Sequence, residues 1–80
     1  MKKLFADKKY CFEQLALARK YFADIRTTRQ QFEQLQNTLA FMYLYCPDEI
    51  RGLVLATMHE AEIRKFYFIA NIWPGDNHAN

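Results

Sequence analysis

The sequence predicts an all-helical fold, and three observations predict it. Apolar residues recur at steps of three and four along most of the 80 residues. Only two glycines and two prolines occur, and Pro47, Gly52, Pro74 and Gly75 all sit near the ends of periodic segments, the punctuation of a few long helices and not of a many-turned sheet. Apolar residues make up 51% of the chain and aromatic ones 16%, too rich a mixture for a disordered tail.

Taken in order, residues 1–8 are basic and are expected to fray. From about Lys9, a seam of Cys11, Leu15, Ala18, Phe22 and Ile25 runs at helical spacing, with Phe12 and Tyr21 beside it. A second seam, Phe32, Leu35, Leu39, Met42 and Cys46, repeats the pattern. The polar stretch at 26–31 separates the two. With neither Gly nor Pro there, one long helix over about 9–45 is favoured, kinked or broken near 26–29, its seam shifting as in an interrupted coiled coil. The alternative is a break, with Thr27 or Thr28 opening a new helix. Each has Gln three residues later, the spacing of a capping box, and a break would allow a three-helix bundle within one chain. A continuous helix would be about 55 Å long and would outrun its hairpin partner, leaving Phe12, Leu15 and Phe22 to be covered by a second chain. The run Phe41 to Cys46 suggests a helix end plugged into the core beside a tight turn at Cys46-Pro47.

The hairpin partner spans 48–73. Pro47 suits a first turn, Asp48 and Glu49 favour the positive end of the helix dipole, and Pro74-Gly75 stops the helix. Ile50, Val54, Ala61, Phe68 and Ile72 form one stripe, and Leu55, Met58, Phe66, Ile69 and Trp73 form another a quarter to a third of a turn away. A helix apolar on more than one side is central to its fold or to an interface. The expected whole is a single domain, a dimeric bundle with a flexible tail at 75–80, because a chain this short is marginal as a monomer.

Function is bounded mainly by exclusion. Serine is absent and no glycine-rich phosphate loop occurs, so an enzyme is not expected. Cys11 and Cys46 are far apart in apolar surroundings and read as reduced, buried thiols. The basic start regains charge at Asp7, Lys8 and Lys9 before any export-signal core develops, which points to a cytoplasmic protein. No stretch is long and apolar enough for a membrane span. His59 and Glu62 share a helix face at a ligand-like spacing, but a metal centre needs more such groups. No cofactor or metal is therefore expected.

Charge is uneven. Residues 1–31 hold eight cations against Asp7, Glu13 and Asp24, while residues 32–80 hold Arg51, Arg64 and Lys65 against six carboxylates. A basic half can follow phosphates or match an acidic protein. The leading expectation is a small cytoplasmic protein-interaction module, an adaptor, chaperone or inhibitor of a larger partner, that self-associates as a homo-oligomer. Phe66, Tyr67, Phe68, Ile69 and Trp73 are its expected contact residues, because aromatic anchors dominate interface energetics. The alternative is a nucleic-acid-binding accessory protein using Arg19, Lys20, Arg26 and Arg29 as polyanion contacts.

Overall fold

Three principal helices run along the long axis of the molecule. The computed structural model describes residues 2–77, with α1 (Lys2–Phe5), α2 (Lys8–Ala23), α3 (Arg29–Tyr45), α4 (Asp48–Ala70) and a closing 3-10 turn (Pro74–Asn77). No strand occurs among the described residues. Lys8 bridges Glu49 at 2.9 Å and Arg19 bridges Glu60 at 3.1 Å. The step along both helices is the same, so α2 and α4 lie parallel. Gln36 donates to Glu62 and the Arg51 guanidinium to the Tyr43 carbonyl, which makes α3 antiparallel to α4. The result is a three-helix bundle in one chain.

The single long helix expected over 9–45 is therefore corrected to two helices. The chain breaks at 24–28 without glycine or proline because side chains close both helix ends there. Thr27 is buried and its hydroxyl donates to the Tyr21 carbonyl at 2.6 Å. Asp24 accepts from the Arg26 backbone and guanidinium, and these bonds hold its carboxyl below the usual carboxylate range. Arg64, reaching from α4, donates to the Phe22 carbonyl at 2.9 Å. Thr28 then opens α3 with the capping box, accepting from the Gln31 backbone while the Gln31 side chain accepts from the Thr28 backbone.

The core seams lie where helical spacing puts them. Cys11, Leu15, Ala18 and Phe22 from α2 meet Phe32, Leu39, Met42 and Cys46 from α3 and its end, and Ile50, Val54, Ala61 and Phe68 from α4. Leu15 and Phe22 are covered by their own chain, so the need for a second chain to cover them disappears. Ile25 is corrected to an exposed position in the α2–α3 connection. Of the 41–46 run only Met42 and Cys46 are buried, so that helix end is not a plug. Cys11 and Cys46 are both reduced, and burial pushes the Cys11 thiol above its ordinary value.

Both chain ends differ from expectation. Residues 2–5 form a turn of helix instead of fraying, and Phe5 is fully buried, with its carbonyl accepting from the Cys11 thiol at 3.1 Å. At the other end α4 stops at Ala70, short of 73, because Ile72 and Trp73 take positive φ values of 58° and 46°. A left-handed Ile is disfavoured by its branched Cβ. The reversal returns Trp73 to the core, where its ring stacks on Phe68 at 5.2 Å and meets Phe32 edge-on at 5.4 Å. Ile72, expected on the core stripe, is instead turned outward at 76% exposure. Gly75 packs so closely on the α2–α3 connection that a Cβ there would lie 2.3 Å from the Arg26 carbonyl oxygen. Asp76 accepts from the Arg29 backbone at 2.9 Å, which satisfies one of the open amide donors at the start of α3. The expected flexible tail is thus structured through Asp76, while residues 78–80 lie outside the described residues.

Candidate functional site

The core uses only one side of α4. Ile50, Val54, Thr57, Ala61 and Phe68 are its buried residues, a stripe set by the 3.6-residue period. The opposite side carries Gly52, Ala56, His59, Ile63, Phe66 and Ala70, spaced four, three, four, three and four, and every one of them is exposed. That is a coiled-coil seam by spacing, on a helix whose other seam is already occupied. Phe66 is 73% exposed, Ile63 71%, Ile69 52% and Leu55 41%. Leu44 of α3 is exposed as well. Isolated apolar residues on a surface need no explanation, but a contiguous row of large ones marks a contact site.

Polar groups are sparse on this face. Glu62 lies at its α3 edge and accepts from Gln36 at 3.0 Å. His59 is exposed. Of the remaining charged residues of α4, Glu49 is held to Lys8, Glu60 to Arg19, Arg51 to Asp48 and the carbonyls of Tyr43 and Cys46, and Arg64 to the Phe22 carbonyl and over the Tyr67 ring at 4.5 Å, while Lys65 is half-buried. These contacts tie α4 to its neighbours and leave the outward row apolar. A cleft of about 270 Å³ beside it, lined by Gln36, Leu39, Ala40, Met58, Ala61 and Glu62, offers one carboxylate and no nucleophile.

Gly52 fits the same description. A Cβ placed on it would meet nothing within 4 Å, so neither a close approach within this chain nor a positive φ requires glycine there. Glycine inside a helix costs roughly 0.5–1 kcal/mol relative to alanine. The bundle itself gains nothing in return.

The expected contact residues divide into two groups. Phe66, Tyr67 and Ile69 are exposed and belong to the outward row or its flanks. Phe68 and Trp73 are core residues, stacked on each other against Phe32, and are not available at the surface. Leu55 and Ile63 are further exposed apolar residues of α4 and Leu44 is one of α3, and none of the three was among the expected contacts. Leu55 was legible from its place on the second sequence stripe. Ile63 lies three residues before Phe66 but is absent from both sequence stripes, and Leu44 belongs to another helix.

Three of the four candidate polyanion contacts are engaged in ion pairs. Arg19 is bridged to Glu60, Arg26 to Asp24 at 3.0 Å and Arg29 to Glu33 at 3.6 Å. Lys20 lies on α2 about a quarter of a turn from Arg19. Among the described residues no cluster of three or more His, Cys, Asp or Glu side chains is placed to hold a metal ion, and no helix is long and apolar enough to cross a membrane. No protein-family model matches the chain, and no curated protein or solved structure is found to be similar to it.

Proposed function

We propose that the protein is a small interaction module whose docking surface is the outward face of α4, acting on a larger partner as an adaptor, chaperone or inhibitor and capable of self-association through the same face. The observation that carries the reading is the exposed row Leu55, Ile63, Phe66 and Ile69 on a helix whose opposite side is already packed. Large apolar side chains held on a rigid helix lose little further entropy on binding, which is what a contact hot spot needs. A helix face with anchors at these spacings also fits the general mode in which an amphipathic helix meets an apolar groove.

The test is capture from extracts of the source cell by the wild-type protein and by Ile63→Asp and Phe66→Asp baits, quantified by mass spectrometry. Both residues are exposed, so the variants keep the bundle while placing a charge on the proposed surface. Specific partners should be lost or reduced by about tenfold or more with both baits. Equal capture by all three would remove the outward face of α4 from the function.

A further inference from the structure

Independently of the docking reading, we infer that the cleft between α2 and α4, at the C-terminal end of α2, is a binding site for a small monocarboxylic acid whose body is a single ring or a short branched chain.

Arg64 stands apart from the other arginines. Arg19, Arg26, Arg29 and Arg51 each pair with a carboxylate, that of Glu60, Asp24, Glu33 and Asp48 in turn. Among the described residues Arg64 is the arginine without such a partner, although it is half-buried. A charge withdrawn from water is ordinarily paired. Arg64 is also held in place. Its Nε donates to the Phe22 carbonyl at 2.9 Å, and its guanidinium lies over the Tyr67 ring at 4.5 Å and the Phe68 ring at 5.6 Å. The carbonyl uses Nε, which leaves the Nη groups to a ligand. A planar fork fixed in this way matches a carboxylate through two parallel hydrogen bonds, and little ordering remains to be done on binding.

The cleft has a volume of about 230 Å³ and is lined by Arg19, Phe22, Ala23, Glu60, Ile63 and Arg64. Two contacts between the parallel helices bound it lengthwise: Arg19 with Glu60 at 3.1 Å and, one turn further on, Arg64 with the Phe22 carbonyl. The space between them is one helical turn long, about 5–6 Å. Phe22, Ala23 and Ile63 give it apolar walls. That length admits one ring or a short branched chain and excludes a long acyl chain. The volume agrees, because it lies below the roughly 300 Å³ at which pockets for drug-sized ligands begin. Charge narrows the class further. Glu60 offsets Arg19, so Arg64 leaves the cleft with a single net positive charge. One carboxylate balances it, whereas a phosphate dianion exceeds it and meets Glu60 one turn away.

The experiment titrates the whole 80-residue chain with benzoate and isovalerate to about 10 mM at matched ionic strength, read by NMR at the Arg64 Nε–H and Ile63 methyl signals. Both acids should give saturable shifts at both positions. Benzamide, which lacks the charge, and acetate, which lacks the body, should each bind at least about tenfold more weakly than benzoate. Ala23 is exposed, so Ala23→Leu fills the cleft from outside the core; it should keep the helical circular dichroism and abolish saturable binding. Arg64→Lys keeps the charge but not the fork and should weaken benzoate by about tenfold. If that variant loses helical content, Ala23→Leu decides alone. No saturable shift with either acid, equal binding of benzamide, or unchanged benzoate binding in Ala23→Leu overturns the inference. A glycyl-glycyl-phenylalanine peptide should bind more weakly than benzoate, since its chain has to leave a space one turn long. Tighter binding by the peptide would make the ligand a chain terminus and overturn the small-acid assignment. Partner capture is measured separately with the Asp-bearing baits, so absent acid binding leaves the docking surface standing, and equal capture by those baits leaves this cleft standing.

Discussion

Two phenylalanines separated by a single residue carry opposite roles on α4. Phe68 is fully buried among Phe32, Trp73 and the aliphatic part of the core, whereas Phe66 is mostly exposed. Phe68→Ala removes a packed ring and leaves a cavity, and should lower the unfolding free energy by about 3–5 kcal/mol. Under conditions in which the protein is monomeric, Phe66→Ala should change it by no more than about 0.5 kcal/mol. Guanidinium unfolding of the pair, read at equal helical content, checks both values. Similar losses for the two variants would mean that the face assignment of α4 is wrong. The contrast matters for function because it separates the side chains that hold the bundle from those free to meet a partner.

At the scale of elements, the short C-terminal turn is a structural clamp. It places Gly75 against the carbonyls of Arg26 and Thr27, Asp76 on the first amide of α3, and Trp73 into the core. Gly75→Ala forces a Cβ into backbone oxygen and should destabilise by about 1–3 kcal/mol, the range of overpacked sites. An unchanged unfolding midpoint would show that the turn does not press on the α2–α3 connection. This clamp also explains what could and could not be read from the sequence. The helix start at Asp48 was legible from Pro47 and the two carboxylates of the first turn, the start at Thr28 only as one of two capping candidates in the alternative to a continuous helix, and the buried seams at 11–22, 32–46 and 50–68 because periodicity reports burial directly. The sequence allows the break at 24–28 but favours a continuous helix there, since neither Gly nor Pro occurs. Part of what fixes the break, Arg64 on the Phe22 carbonyl and Gly75 against the Thr27 carbonyl, comes from residues more than 40 positions away. The helical pattern also ran on through Ile72 and Trp73, since periodicity carries no information about φ, and the reversal there depends on the aromatic stack that Trp73 joins. Phe5 was missed because one apolar residue in a basic stretch has no periodic neighbours. The second apolar stripe of α4 was visible, but which stripe faces the core depends on how α2 and α3 dock, and that is a tertiary choice.

Across the whole molecule, folding brings part of the basic half of the sequence against the acidic half. Lys8 and Arg19 of the basic half meet Glu49 and Glu60 of the acidic half. All four of these side chains remain substantially exposed, so the bridges orient α2 against α4 more than they stabilise it. What folding does not cover is the apolar outward face of α4, where Ile63 and Phe66 are among the most exposed large apolar residues described. Side-chain oxidation footprinting tests that claim most directly, because it reads coverage of the face whatever covers it. Dilute purified protein should show Phe66 oxidised more readily than Phe12 and Phe41, in line with its greater exposure. In extract of the source cell at native concentration Ile63 and Phe66 should become protected, while Phe12 and Phe41 stay as reactive as before. Oxidation of Phe66 at the same rate in both settings would contradict the account.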